Sequence, residues 1–302
     1  MKTTGQDLFL EAAVQSLDEE PLTLGTVAVG VMRLMGNPKV GLPSLTRAIS
    51  ADIGLSSKII RKANCAFYAG SEPVTSLPLA ILKIGFTATR SMVIASAYRS
   101  LFREGDSEGF EERLWRHSLG VGIGARTVAH HADGTFGEEA FVCGLVHDVA
   151  KLVLFQRFPE VYRPILKRTI DNPGAEKEIE MTVMGFTHAE LSAMILERWG
   201  FERAAIRSVR YHHDPEAISA DGADTPINRD AAQLAYAINL ANEIVRQFED
   251  PHPGVPVPSL DDNPGLQHFG FNARQQGRIC DEMRFRIGDE LQLFGEAGTH
   301  MF

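Results

Sequence analysis

Apolar residues recur at intervals of three and four along almost the whole chain, and the strict alternation of a half-buried strand between hairpin turns is nearly absent. A chain with that one period buries its apolar surface by packing helix on helix, so the expected fold class is all-α. At 302 residues, 44% of them hydrophobic, there is material for one large core or two smaller ones, and a compact arrangement of two helical lobes is expected.

Local signals place the elements. One helix is expected over 22–35, and Pro43 stands where the first turn of the next would begin, ahead of Leu45 and Ile49. Leu55, Ile59 and Ile60 mark another helix. Ser76 and Pro78 open a further one carrying Ala80, Ile81 and Ile84. The polar stretch Arg103 to Gly109 reads as a boundary, giving an N-terminal lobe over 1–105 and a second over 106–250, with a loop and a final helix in 251–302. In the second lobe a helix is expected through Trp115 and His117 to Val128, a loop at Asp133-Gly134, and one unbroken helix from Glu138 to Phe155. Thr187 and Glu190 form a capping box that starts a helix at His188, which Gly200 ends beyond Trp199. Residues 214–226 and 249–265 read as loops, and Phe271 to Phe294 as the last amphipathic helix.

A net charge of −9 and a pI near 5.6 count against nucleic acid as a partner, because neutralising phosphates takes a basic face, although a local basic patch stays open. Cys65, Cys143 and Cys280 are far apart and odd in number, which indicates neither a disulfide framework nor a thiolate zinc site. With no basic-then-apolar leader and no apolar run near the roughly 20 residues of a membrane helix, the expectation is a cytoplasmic protein without a membrane partner.

The chemistry is concentrated in histidines. His117, His147-Asp148, His188 and His212-His213 fall in four separate helical contexts of the second lobe. Imidazole and carboxylate ligands from different helices suit one or two divalent transition metal ions such as Fe, Mn, Ni or Zn, which would activate water and clamp a phosphoryl group. Each residue also has an ordinary reading. His117 and His188 could be core or capping groups, and His212-His213 before Asp214-Pro215 could end a helix. His147-Asp148 is harder to explain away, since a charged pair within the apolar stretch Phe141 to Phe155 is costly to bury unless paired or bound to metal. His130-His131, His252, His268 and His300 stand in polar or loop contexts.

The strings Leu114-Trp115-Arg116-His117-Ser118, Gly144-Leu145-Val146-His147-Asp148-Val149-Ala150-Lys151-Leu152, Thr187-His188-Ala189-Glu190 and Tyr211-His212-His213-Asp214-Pro215 resemble, in order, the signatures of the HDOD family. In the first lobe Leu42-Pro43-Ser44-Leu45, Ala51-Asp52-Ile53-Gly54-Leu55-Ser56, Ala63-Asn64-Cys65-Ala66-Phe67-Tyr68 and the run from Thr75-Ser76 to Ile84-Gly85 resemble its N-terminal pattern. The likeness covers roughly residues 20–250. It implies a bacterial signalling domain of two helical lobes on the scaffold of the HD metal-dependent phosphohydrolases. That family is similar to the HD-GYP cyclic-di-GMP phosphodiesterases but is regarded as a regulatory relative.

Two departures bear on activity. No Gly-Tyr-Pro segment follows His212-His213, and the late helix on which HD enzymes carry a last aspartate reads Ile238-Asn239-Leu240-Ala241-Asn242-Glu243. At about 100° per residue, Asn242 lies roughly 80° from the centre of the apolar stripe formed by Leu234, Ile238, Ala241, Val245 and Phe248, and Asn239 roughly 140°. Asn242 is therefore the better positional match. An amide oxygen can ligate a hard cation but brings no charge and cannot act as a base; an ordinary buried amide bonded to the opposite helix is the other reading. Lys151, one turn after His147-Asp148, resembles the family's HDxxK lysine, for which a phosphate contact and a salt bridge to Asp148 are both open. The expected function is a regulatory module acting through a signalling protein partner or a nucleotide ligand, with a degenerate metal site. The alternative is a metal-dependent phosphohydrolase acting on a nucleotide or cyclic dinucleotide.

Overall fold

The computed structural model describes residues 5–19, 22–35, 41–65, 68, 72–106, 109–132, 134–172, 174–220, 225–249 and 260–294. Every regular element among them is a helix, as the apolar period requires. Ala66, Phe67, Asp133, His252 and His300 lie outside the described residues. The chain forms two compact units. One comprises Thr23–Arg103 with the segment that begins at Phe285; the other comprises the chain up to Leu22 with Glu104–Arg284.

The first of these units is built from α2 (Thr26–Met35), α3 (Leu42–Ile49), α4 (Ile53–Ala63), α5 (Leu77–Ile84) and α6 (Phe86–Arg99), joined by the end of α17 (Ala273–Leu293). Pro43 sits in the opening turn of α3, and the Asp52 side chain caps α4 by accepting from the Leu55 amide at 2.9 Å. Gly85, at φ 87°, adopts a backbone that a residue with a side chain rarely takes, and there the chain turns from α5 into α6. The core is aliphatic, with Leu45, Ile49, Ile59, Ala80 and Ile81 wholly buried. Among the described residues no single helix is long and apolar enough to cross a membrane. Only α5 and α6 taken together reach that hydropathy, across a bend of 111°.

In the other unit, α7 (Phe110–His131) is buried along most of its length and packs on α8 (Gly137–Val146) and α15 (Pro226–Phe248). Glycines bring the first pair together. A Cβ at Gly122 would stand 2.8 Å from the Phe141 carbonyl oxygen, and one at Gly144 would stand 2.8 Å from the Val121 oxygen and 3.0 Å from the Gly122 Cα. Backbone cannot yield as a side chain tip can. Gly144→Ala is therefore expected to destabilise by about 1–3 kcal/mol despite the roughly 1 kcal/mol that alanine gains in a helix interior, read as a lower urea midpoint at unchanged slope.

The helix read as continuous from Glu138 to Phe155 is two helices, α8 and α9 (Val149–Arg157), broken at His147-Asp148. Asp148 leaves helical geometry at φ −105° and ψ 17°. The apolar period carries straight across the break, since both helices are buried all round. The Ala150 amide, freed at the start of α9, is met by the Ser192 hydroxyl at 3.1 Å. Two further helices, α10 (Pro159–Asp171) and α11 (Glu176–Met184), were not foreseen. The first is polar and holds Pro164, and neither has a side-chain cap at its start.

Candidate metal centre

Each candidate residue is delivered by a different local device. His117 projects from the second turn of α7. His147 and Asp148 occupy the α8–α9 break, which turns both side chains inward where a continuous helix would separate them by about 100°. His188 is the first residue of α12 (His188–Arg198), fixed by the foreseen capping box: Thr187 accepts from the Glu190 amide, and the Glu190 carboxylate accepts from the Thr187 amide at 2.9 Å. His212 and His213 follow the end of α13 (Arg203–Arg210).

These residues converge. His147 Nε2 lies 3.2 Å and His117 Nε2 3.8 Å from Asp148 Oδ2, while His188 Nε2 lies 3.2 Å and His212 Nε2 3.9 Å from Asp148 Oδ1. Among the described residues three groups have metal-ligand spacing: His117, His147 and Asp148; His188, His212 and His213; and Glu176, Glu180 and His188. His213 Nε2 is 2.9 Å from His188 Nε2.

What orients the imidazoles is the other ring nitrogen. Nδ1 of His147 contacts the Gly144 carbonyl, and Nδ1 of His212 the Val209 carbonyl, each at 2.7 Å. Nδ1 of His117 contacts Glu249 and Nδ1 of His188 contacts Glu180, also at 2.7 Å. With Nδ1–H donated to the two carbonyls, the lone pair of the neutral His147 and His212 rings sits on Nε2, the atom facing Asp148. Glu249→Gln is therefore expected to weaken divalent-metal affinity about 10–100-fold while leaving the unfolding midpoint of the metal-free protein nearly unchanged, measured by competition against a chelator.

Burial sets the protonation states. It pushes the pKa values of His147, His212 and His213 down, and the neighbouring carboxylates do not restore them, so the three rings are neutral. His188 is as buried, but Glu180 outweighs the burial and raises it to about 9. Burial also opposes charge on Asp148, yet the cationic Lys151 and His188 beside it hold its carboxyl well below the usual range.

Lys151 is buried with its Nζ 3.0 Å from Asp148 and 2.7 Å from Glu176, whose carboxylate also meets Arg246 at 3.3 Å. The lysine thus occupies the salt bridge left open by the sequence. Asn242 lies on α15 in a row with Asn239, Arg246 and Glu249, at steps of three, four and three residues. Asn239 donates to the His212 carbonyl at 2.9 Å, Arg246 reaches Glu176 and Glu249 reaches His117. Asn242 therefore faces the same centre. Asn239 is also buried, tied to His212 and to Asn263, so it is a structural amide.

Asn242 Oδ1, His147 Nε2, His212 Nε2 and Asp148 Oδ1 are all buried without a hydrogen-bond partner. Leaving four such atoms unsatisfied in one place is expensive, and a cation would satisfy them together. The donor set, imidazole nitrogen with carboxylate and amide oxygen, suits a divalent transition metal. Sequence reasoning missed Glu176, Glu180, Arg246 and Glu249. The spacing of Glu176 and Glu180 was a usable signal once α11 was known to be a helix; Glu249 fell in a stretch read as a loop.

A family model for the HDOD domain matches residues 22–215. Two solved structures are similar to this one: a Shewanella amazonensis protein provisionally named a phosphohydrolase, with TM-score 0.68 at 21% identity over 93% of this chain and 97% of that one, and a Marinobacter aquaeolei protein provisionally named for signal transduction, with TM-score 0.69 at 19% identity over 98% of this chain and 67% of that one. At such identities the likeness establishes the fold. An uncharacterised Treponema pallidum protein is 21% identical over 276 residues, and the chain spans half of that relative's length. With the motif order, the helical fold and the match over most of its length in agreement, this chain belongs to the HDOD domain family.

Proposed function

We propose that this chain is a signal-transduction module whose HD-type pocket binds a divalent transition metal and a phosphate-bearing ligand, passing its state to a signalling protein partner without efficient turnover. The observation that carries the reading is Asn242. It faces the centre with a buried, unpartnered oxygen, at the place where an HD hydrolase would have a carboxylate.

His117, His147, Asp148, His188, His212, His213 and Asn242 would hold the ion or ions. A bound divalent ion would supply Lewis acidity and an anchor for a phosphoryl oxygen. The chain's own groups do the rest. Glu180, Glu249 and two backbone carbonyls keep the imidazoles aimed inward. Lys151 holds Asp148 ionised and is itself neutralised by Asp148 and Glu176, which leaves it little charge to offer a phosphate. Asn242 takes no proton, so the pocket has one base fewer than a hydrolase pocket would.

The metal-dependent phosphohydrolase reading is favoured by the remaining ligand set, which is intact. The two separate in one assay of metal-loaded protein with cyclic di-GMP and, separately, a generic phosphodiester. Bound ligand recovered intact supports the sensing module. Multiple turnovers that disappear in His147→Ala would establish the hydrolase instead.

A further inference from the structure

The charge of this chain is segregated. The stretch Thr23–Arg103, most of one compact unit, carries ten lysines and arginines against two acids, Asp52 and Glu72, whereas the rest of the chain carries twenty basic residues against thirty-seven acidic ones. The overall charge of −9 thus conceals a unit of opposite sign. Asp52 is itself engaged as the cap of α4. Arg33 and Arg47 are exposed, and neither they nor Lys83 pair with an acid among the described residues.

The same unit also exposes apolar side chains. α5 buries Leu77, Ala80, Ile81 and Ile84, yet Leu79 and Leu82 are 55% and 59% exposed, on one face with Lys83. Ile53, at the first turn of α4, is 82% exposed, and α4 packs on α5. Core packing explains only the inner half of α5.

We infer that this unit is a docking surface for an anionic lipid bilayer, with Leu79 and Leu82 entering the boundary between headgroups and acyl chains while the basic side chains meet lipid phosphates. Exposed leucine beside an unpaired lysine, on a stretch of net positive charge, is the composition of a peripheral membrane contact. A protein interface would instead deplete lysine and interleave both signs of charge. A nucleic-acid surface would offer aromatic or polar side chains to bases, and it has no use for exposed aliphatic ones. The contact is peripheral and needs no helix to cross the bilayer.

The test is cosedimentation of the full chain with vesicles of phosphatidylglycerol and phosphatidylcholine, against phosphatidylcholine alone, with duplex DNA as a competing polyanion. Binding to the anionic vesicles only is expected, falling with salt. Lys83→Glu should weaken it by about fivefold or more, and Leu79→Ser with Leu82→Ser by about tenfold, with unchanged circular dichroism since these side chains are exposed. Absence of vesicle binding would overturn the inference. So would binding indifferent to the two leucines, or full displacement by DNA at equal charge, either of which would mark a general polyanion surface.

Discussion

Replacing Asp148 by alanine is expected to cost the protein its divalent metal, with affinity falling by more than about 100-fold, and also to destabilise the metal-free chain. Both effects have one origin. Among the described residues Asp148 is the only carboxylate within 4 Å of four convergent imidazole nitrogens, His147 and His117 on one oxygen and His188 and His212 on the other. In the absence of metal it also compensates the buried Lys151 and the protonated His188. Removing one member of a buried charged network leaves its partners uncompensated, which costs about 3 kcal/mol, moderated here because Lys151 keeps Glu176. Calorimetric metal titration and urea unfolding with and without chelator separate the two losses. Wild-type metal affinity in the variant would show that Asp148 is only a salt-bridge partner.

The second large effect runs the other way. Asn242→Asp is expected to raise metal affinity at least about tenfold, because a new charge beside the cation site is worth up to about 4 kcal/mol at 4 Å and an effective dielectric of 20, and a third of that is tenfold. Without metal the same variant should melt lower than wild type, since it adds a buried carboxylate near Asp148 with no cation between them. The signature is therefore a widened gap between the melting temperatures of the loaded and metal-free protein. If this variant also gains phosphodiester turnover, the asparagine is what holds the wild type to sensing. An unchanged gap would place residue 242 outside the ligand set.

The helical class and the family were legible because the apolar period and the motif strings are local properties of the sequence. The convergence of His117, His147, Asp148, His188 and His212-His213 was legible only through the order of those strings, since spacing along the chain does not say which helices meet. The break at His147-Asp148 was hidden by apolar residues on both sides of it. The supporting carboxylates were hidden for a different reason. Glu176 and Glu180 lie on a helix whose start has no side-chain cap, and Glu249 becomes a partner of His117 only through a contact 132 residues distant. The overall charge does not show the basic stretch, because it averages two stretches of opposite sign.

The central claim is that this pocket is a metal centre. Elemental analysis of the purified protein beside His147→Ala tests it most directly. His147 is wholly buried, with Nε2 unpartnered and Nδ1 bonded only to the Gly144 carbonyl, so its removal subtracts a ligand without stranding a charge. Near-stoichiometric iron, manganese, nickel or zinc in the wild type and its loss in the folded variant is the result expected. The same metal content in both proteins, or none in the wild type after reconstitution with each ion, would contradict it.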